Sequence, residues 1–404
     1  MTLASITGEA RARVLVVGAG PVGLVAAIRL REQGIAVRVI DELSEEDKHL
    51  YPVVLHPRTL RILSGLGVSA PLEWRGRAVT QLVVYADGQR RAVLELPGAG
   101  QVSAGAMTLP QDVLRRALLQ RLDDLGVDVE WKTRLSSLEQ EPSRVRLGLT
   151  RRERVESTRP QRAAEWIDVA SASLDADLVV AADGRGSTVR ELLGISMIQH
   201  GKREMYAFYD APDERAGGDA HLVLADGTGN SVYPLQGELS RFTFQIGVDA
   251  EQPPGQLQLR ELLASRMPWY GRDVQSFEWS GSAAFYPSLA ERFGEGRVWL
   301  AGDAAHSTGP LGGQSLNVGI HEAHDLALRI AELIDRPSVG TLGHDYGAQR
   351  RLQWQQLFGV GPSKPNVARA PDWVKRHMTL LLPSLPAAGD DLDDLLDQLH
   401  VGSA

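Results

Sequence analysis

The sequence predicts an α/β fold in which a Rossmann-like domain is interrupted by an antiparallel-sheet domain and followed by a short helical C-terminus. Three observations predict it. Residues 13–17, "RVLVV", are an unbroken β-branched run followed by "GAGPVG" and then by the helical apolar spacing of "LVAAIRLREQG", which is the order of a βαβ unit. Residues 205–290 change to strand-like segments such as "AHLVLADGTG" and "SVYPLQGELSRFTFQIGV". The α/β pattern then returns at "GRVWLAGD".

Taken in order, "RVLVV" lacks alternation, as in a strand buried on both faces. Gly34 caps the first helix, and "IAVRVID" is the second strand. "RTLRILSGLG" (58–67) reads as a helix ended by glycine, 79–96 as strands around the turn "ADGQ", and "QDVLRRALLQRLDDLG" (111–126) as an amphipathic helix. Three short strands are expected between 127 and 180, interrupted by "RRERVESTRPQR" (Arg151 to Arg162), a basic segment expected to be a solvated loop. A helix runs from about Gln314 to Ile334, another over "HDYGAQRRLQWQQLF", and the tail ends in the acidic "DDLDDLLDQL". The domains expected are therefore a discontinuous unit of 1–75, 101–195 and 291–350, a β-rich unit of 76–100 and 196–290, and a helical segment of 351–404.

Bulk properties narrow the function. The 404 residues carry a formal net charge of -8, against a nucleic-acid partner. The absence of cysteine excludes disulfides, zinc thiolates and thiol nucleophiles. No apolar run reaches the roughly 18 residues of a membrane span, and the N-terminus lacks a secretory pattern, so a cytoplasmic location is expected. His321 and His324 share a helical face without a third ligand at metal spacing, so no metal site is expected.

The chemistry lies at strand ends. In "GAGPVG", Gly18 permits a tight turn, Gly20 admits a pyrophosphate to the backbone, and Gly23 lets the helix pack on the strand. Pro21 and Val22 open that helix, whose free N–H groups suit phosphates. Asp41 closes the second strand, near the spacing at which an acid meets a ribose hydroxyl. Glu42 follows it, so no cation stands ready for a 2′-phosphate, and the bound dinucleotide should be FAD or NAD. "ADLVVAADGRGSTVR" and "GRVWLAGDAAH" place Asp183 and Asp303 at two further strand ends, as a longer dinucleotide would need.

With these residues in order, the chain resembles the FAD-dependent aromatic monooxygenases, the para-hydroxybenzoate hydroxylase-like family. "GAGPVG", "DLVVAADGRGSTVR", "GRVWLAGDAAHSTGPLGGQSLNVGIHEAHDLA", "LHPRTLRILSGLGV" and "LPQDVLRRALLQRL" carry the resemblance, over about residues 13 to 350. It implies a glutathione reductase-type FAD-binding domain. It also implies that Asp303 holds the ribityl chain, that Gln111 sits beside the flavin or its pyrophosphate, that Leu135 is a cofactor contact, and that Asp183 belongs to a motif for FAD and pyridine nucleotide. The turn of Pro310, Gly312 and Gly313, with Ser315, Leu316 and Asn317 opening the next helix, would face the flavin ring. In the family a flavin C4a-hydroperoxide, formed with NADH or NADPH and O2, hydroxylates an aromatic ring. The flavin carries the chemistry, and Pro310 would shape the oxygen site. His306 is expected to bond nearby backbone.

Two positions depart from the family. Tyr51 stands where an arginine is common, with Lys48 and Arg58 nearby, and Ser315 stands where glycine is usual. No second G-x-G-x-x-G follows a strand, so no separate nicotinamide-binding domain is expected. The substrate domain offers Tyr233, Phe242 and Phe244 as pocket candidates, although sheet aromatics more often form core. Few charges stand out there, which suggests an apolar, polycyclic substrate of secondary metabolism. Two alternatives stay open: a flavin oxidase or dehydrogenase on the same fold, and a non-catalytic FAD- or ligand-binding protein. The oligomeric state is not legible.

Overall fold

The computed structural model describes residues 11–45, 52–98, 105–155, 165–213, 217–247, 255–270, 274, 276–336, 342–360 and 365–402. The chain begins with β1 (Arg11–Val17), α1 (Pro21–Glu32) and β2 (Val37–Ile40). Next come β3 (Pro52–Leu55), α2 (Pro57–Gly65), α3 (Ser69–Arg75), β4 (Arg77–Val79), the hairpin β5 (Gln81–Ala86) and β6 (Gln89–Glu95), β7 (Ala106–Pro110) and α4 (Gln111–Asp124). The chain continues through β8 (Val129–Glu130), β9 (Thr133–Gln140), β10 (Val145–Val155), β11 (Glu165–Ala181), α5 (Thr188–Leu192) and β12 (Met197–Gln199). The inserted region holds β13 (Glu204–Pro212), β14 (Asp219–Ala225), β15 (Thr228–Pro234), β16 (Leu239–Ile246), α6 (Gln256–Arg266) and β17 (Trp279–Phe285). Last are β18 (Ser288–Ala290), β19 (Gly294–Glu295), β20 (Val298–Leu300), β21 (His306–Ser307), α7 (Gln314–Leu333), α8 (Leu342–Leu357), α9 (Asp372–Leu381) and α10 (Asp390–Gln398).

An eight-stranded sheet, ordered β19-β20-β11-β1-β2-β8 with β10 and β9 continuing from β11, organises the first unit. Its parallel strands end level with one another. Leu300 pairs with Ala181, Ala181 with Val17, and Val17 with Ile40. Val14, Leu15, Val16, Leu178, Val179 and Val180 are fully buried, which explains why these strands read as unbroken apolar runs.

The glycines around this edge have distinct reasons. Gly18 has φ +104°, and a Cβ there would stand 2.2 Å from the Ala182 carbonyl oxygen. A Cβ on Gly23 would stand 1.9 Å from the Gly18 carbonyl oxygen. Gly302 and Gly319 touch one another and Val22, so α7 and the turn after β20 close against the start of α1.

The second layer is a seven-stranded sheet, β17-β13-β16-β15-β14-β5-β6. The hairpin β5–β6 joins it by pairing with β14, so sequence-distant strands share one surface. β18 pairs with β12 on one side and β21 on the other, outside this sheet, so its inserted strands span residues 204–285. The 350/351 boundary falls inside α8.

Two local expectations are corrected. The strands between 127 and 180 include two long ones, β10 of 11 residues and β11 of 17. Arg151 to Val155 continue β10 and pair with β11, and are not loop. Arg152 stacks over Trp166 at 5.5 Å and reaches Glu42 at 3.3 Å, so its charge is carried on a sheet surface. The remainder of that basic segment lies outside the described residues.

Candidate functional site

Two cavities open along the level strand ends. The first, of about 190 Å³, is lined by Gly18, Gly20, Asp41, Thr133, Arg134, Leu135 and Asp183, among others. Gly20 is the N-cap of α1, and a Cβ there would meet nothing within 4 Å. That open space would admit a phosphate to the backbone. Pro21 is buried at the first turn of α1, and Val22 is used in the helix crossing.

Asp41 is already anchored: Ala19 N–H donates to Oδ2 at 2.7 Å and Leu43 N–H to Oδ1 at 2.8 Å. A carboxylate has about four acceptor sites, so two bonds leave capacity for ribose hydroxyls. Asp183 accepts from the Ser187 hydroxyl at 2.6 Å and from Val189 N–H at 3.1 Å. Burial raises its carboxyl pKa, and those two donors lower it. Asp183 therefore ties the end of β11 to α5 as well as lining the cavity. Arg134, whose buried Nε has no partner, was missed by sequence reasoning. It lies on β9, outside every glycine motif.

The second cavity, of about 240 Å³, lies between the turn preceding α7 and the seven-stranded sheet. Asp303, Pro310, Gly313, Ser315 and Leu316 line one side. Tyr233, Arg241, Phe208 and Phe285 line the other, with Arg185 and Thr108. Asp303 lines this cavity with an exposed side chain; desolvation pushes its carboxyl pKa up, while His306 and Arg185 pull it down. Ser315 Oγ accepts from Thr308 N–H at 3.2 Å, so the residue replacing glycine locks the turn and keeps its own hydroxyl proton to donate. Gly313 has φ +64° and caps α7, whose first turn has no side-chain cap.

Other residues of the same stretch hold the turn from behind. Asn317 donates to the Val54 and Gly313 carbonyls, both at 2.7 Å, and accepts from His56 N–H at 2.8 Å. Gly312 packs against the backbone of Pro383 and Leu385. Gln111 opens α4 and lines neither cavity. His306 does not bond backbone through its ring. Its Nε2 pairs with the fully buried Glu322 at 2.9 Å, and its ring stacks on Trp354 at 3.9 Å. Among the described residues no cluster is fit to hold a metal, and no helix is long and apolar enough to cross a membrane. Tyr51 and Lys48 lie outside the described residues.

The substrate-face candidates divide. Tyr233 lines the cavity. Phe242 and Phe244 do not. They are fully buried on the opposite face of β16, against Tyr209, Leu259, Leu263 and Met267. Strand alternation is the reason: Arg241 and Thr243 on the same strand face the cavity.

The FAD binding domain profile matches residues 11–359. The chain belongs to the FAD binding domain family. The glycine cradle, the anchored Asp41 and Arg134, whose Nε has no partner, fit FAD, the cofactor of this family. The FAD binding domain chain is 28% identical over 345 residues to 6-methylpretetramide 4-monooxygenase of Streptomyces rimosus, covering 84% of this chain and 59% of that protein. It is 29% identical to a flavin-dependent monooxygenase of Mycobacteroides abscessus, covering 84% of this chain and 69% of the relative. The chain thus spans less than two thirds of the length of the first of these relatives. Its fold superposes on the crystal structure of p-nitrophenol 4-monooxygenase PnpA from Pseudomonas putida DLL-E4 with a TM-score of 0.70, at 22% identity and 96% coverage of both chains.

Proposed function

We propose that this chain is a FAD-dependent monooxygenase that hydroxylates an aromatic substrate of the polycyclic secondary-metabolite class, with NADH or NADPH as reductant and O2 as oxidant. The observation that carries the reading is the second cavity. It sets the positive end of α7 and the ribityl-side Asp303 on one wall, and an aromatic and hydroxyl-bearing sheet on the other. The name of the Streptomyces rimosus relative supports the substrate class.

FAD, when bound, supplies the redox chemistry between the reduced nicotinamide, O2 and the aromatic ring. The chain's own residues do the rest. Gly18, Gly20 and the start of α1 hold the diphosphate, Asp41 the adenosine ribose, and Asp303 the hydroxylated chain. The uncapped N-terminus of α7 favours negative charge on a ring beside it, by roughly 0.3–2 kcal/mol. Pro310 presents a rigid surface without an N–H, so its backbone donates no hydrogen bond to an oxygen next to it. Burial pushes the Tyr233 phenol up, so it stays protonated and can donate to a substrate oxygen. Arg241 is neutralised by Asp210 through two bonds of 2.7 Å, which fixes its guanidinium over Trp279 and leaves Nη1 towards a polar substituent. The apolar rings of Phe208 and Phe285 exclude water from the cavity.

The deciding experiment is turnover under 18O-labelled dioxygen with candidate fused-ring phenols. Label in the product supports the monooxygenase. Substrate oxidation with all label recovered in peroxide or water supports the oxidase reading. A protein that stays oxidised under anaerobic NADH and NADPH with every ligand tried supports a binding protein.

A further inference from the structure

A third cavity lies apart from the other two, between α2, α8 and the start of α10. Its volume is about 210 Å³, and Arg58, Arg350, Gln353, Gln356, Gly389 and Asp393 are among its lining residues. Nothing in the proposed reaction uses it.

Its electrostatics are unbalanced. Arg58 stands against the N-cap of α10: a Cβ on Gly389 would come within 2.8 Å of its Nη1. Among the described residues Arg58 has no hydrogen-bond or ion-pair partner. Arg350 keeps a buried Nε without a partner. Its nearest carboxylate, Asp325, is 3.7 Å away and already bonded to Arg329 at 3.1 Å. Asp393, the one carboxylate among the described lining residues, makes no ion pair with either arginine; burial and then Asp390, Asp397 and Asp394 raise its pKa. Both guanidiniums also push the buried His321 ring down, after desolvation. In a chain of net charge -8, Arg58 without an acid, beside Arg350 whose one carboxylate at 3.7 Å is shared with Arg329, is an unusual allocation. Guanidinium forks match the oxygens of phosphate, and the glutamine amides add donors.

We infer that the Arg58–Arg350 cavity is a phosphate-binding site, for free phosphate or the phosphate monoester of a small molecule. It is built into the back of the cofactor turn. Gln314 at the start of α7 donates to the Leu385 and Ala387 carbonyls at 2.6 and 3.0 Å, and Ala388 and Gly389 follow directly into the cavity wall. An occupant bridging Arg58 and Arg350 therefore braces the segment on which Gly312 and Gln314 rest.

The test is calorimetric and thermal titration of the full chain with inorganic phosphate, 2′-AMP and 5′-AMP, at constant ionic strength against chloride. Saturable one-to-one binding with a rise in Tm is expected. R58Q and R350Q should each weaken it at least about tenfold, while R58K should retain most of it. R116Q, at an exposed arginine paired with Asp112 on α4, should leave it unchanged. Preference for 2′-AMP would identify a nucleotide 2′-phosphate as the source, and equal binding of inorganic phosphate a free anion. The inference is overturned if wild-type protein shows no saturable response at millimolar concentrations, or if R58Q and R350Q respond as wild type does. The wild-type titration decides the matter even where a variant folds poorly, and it requires no turnover.

Discussion

Asp41 and Asp303 stand at the same end of the parallel strands of one sheet, each just beyond a strand end, on strands whose ends are level through the pairs Ile40–Val17–Ala181–Leu300. Three strand spacings separate them, about 14 Å at roughly 4.8 Å per strand. One extended ligand can therefore touch both. Asp41→Ala should weaken FAD binding by about 10- to 100-fold, the loss of a charged hydrogen bond worth roughly 1.5–3 kcal/mol. Quenching of flavin fluorescence on titration reads this directly. An unchanged affinity would place the ribose elsewhere.

The three motif glycines should separate into two behaviours. Gly20 has φ -73° and open space where a Cβ would go. Gly20→Ala should therefore melt within about 1 kcal/mol of wild type as apoprotein, alanine's poorer capping being offset by its smaller entropy loss on folding, yet lose FAD affinity because the methyl occupies the phosphate's place. Gly23→Ala puts a methyl 1.9 Å from the Gly18 carbonyl oxygen. It should fail to fold or lose several kcal/mol, on the order of overpacking at a rigid contact. Thermal melts of the two apoproteins test the contrast.

These glycines and Asp41 were legible because each acts through local geometry: a turn, a cap or a strand end within one βαβ unit. The cavity wall was not. Thr108 on β7, Phe208 on β13 and Phe285 on β17 converge through pairing across long sequence separations. Phe242 and Phe244 show the limit most clearly. Their shared face was readable from alternation, but which face meets the cavity depends on where α6 packs, and α6 covers theirs. The useful signal was the other parity. Arg241 and Thr243 on β16 lie opposite Tyr233 and Ser231 on β15, a polar row facing inward. His306 was expected to bond nearby backbone; its ring pairs instead with Glu322, 16 residues on in α7, with no motif to mark the pair.

Glu322 is expected to be a stability centre. Oε2 accepts from Gly302 N–H and from His306 Nε2, both at 2.9 Å, and Oε1 accepts from Trp354 Nε1 at 2.8 Å. Three elements meet on one buried carboxylate. Glu322→Ala strands all three donors and should cost about 3–5 kcal/mol. Glu322→Gln must turn an NH2 group towards at least one donor and should cost roughly 1.5–3 kcal/mol. Chemical denaturation of both variants checks the ranking. If Gln proves as stable as wild type, His306 supplies an acceptor there instead.

His56 gives the fold a defined pH dependence. Its ring is fully buried, Nε2 donates to the Gly312 carbonyl at 2.7 Å, and desolvation lowers its pKa to about 4. The unfolded ring titrates near 6.5. Between these values the unfolded chain binds the proton that the folded chain refuses, so stability is complete above about pH 6.5 and falls as pH drops towards 4. At pH 5 this one group should cost about 2 kcal/mol relative to pH 7.5. Asp303 and Asp183 act with the opposite sign, since their raised pKa values favour the folded chain as pH falls. A comparison with His56→Gln isolates the histidine, because the amide can keep the bond to Gly312 without titrating. Wild type should lose about 2 kcal/mol more than the variant between pH 7.5 and 5 in parallel urea titrations. Parallel losses in the two proteins would mean that the His56 ring accepts its proton within the fold.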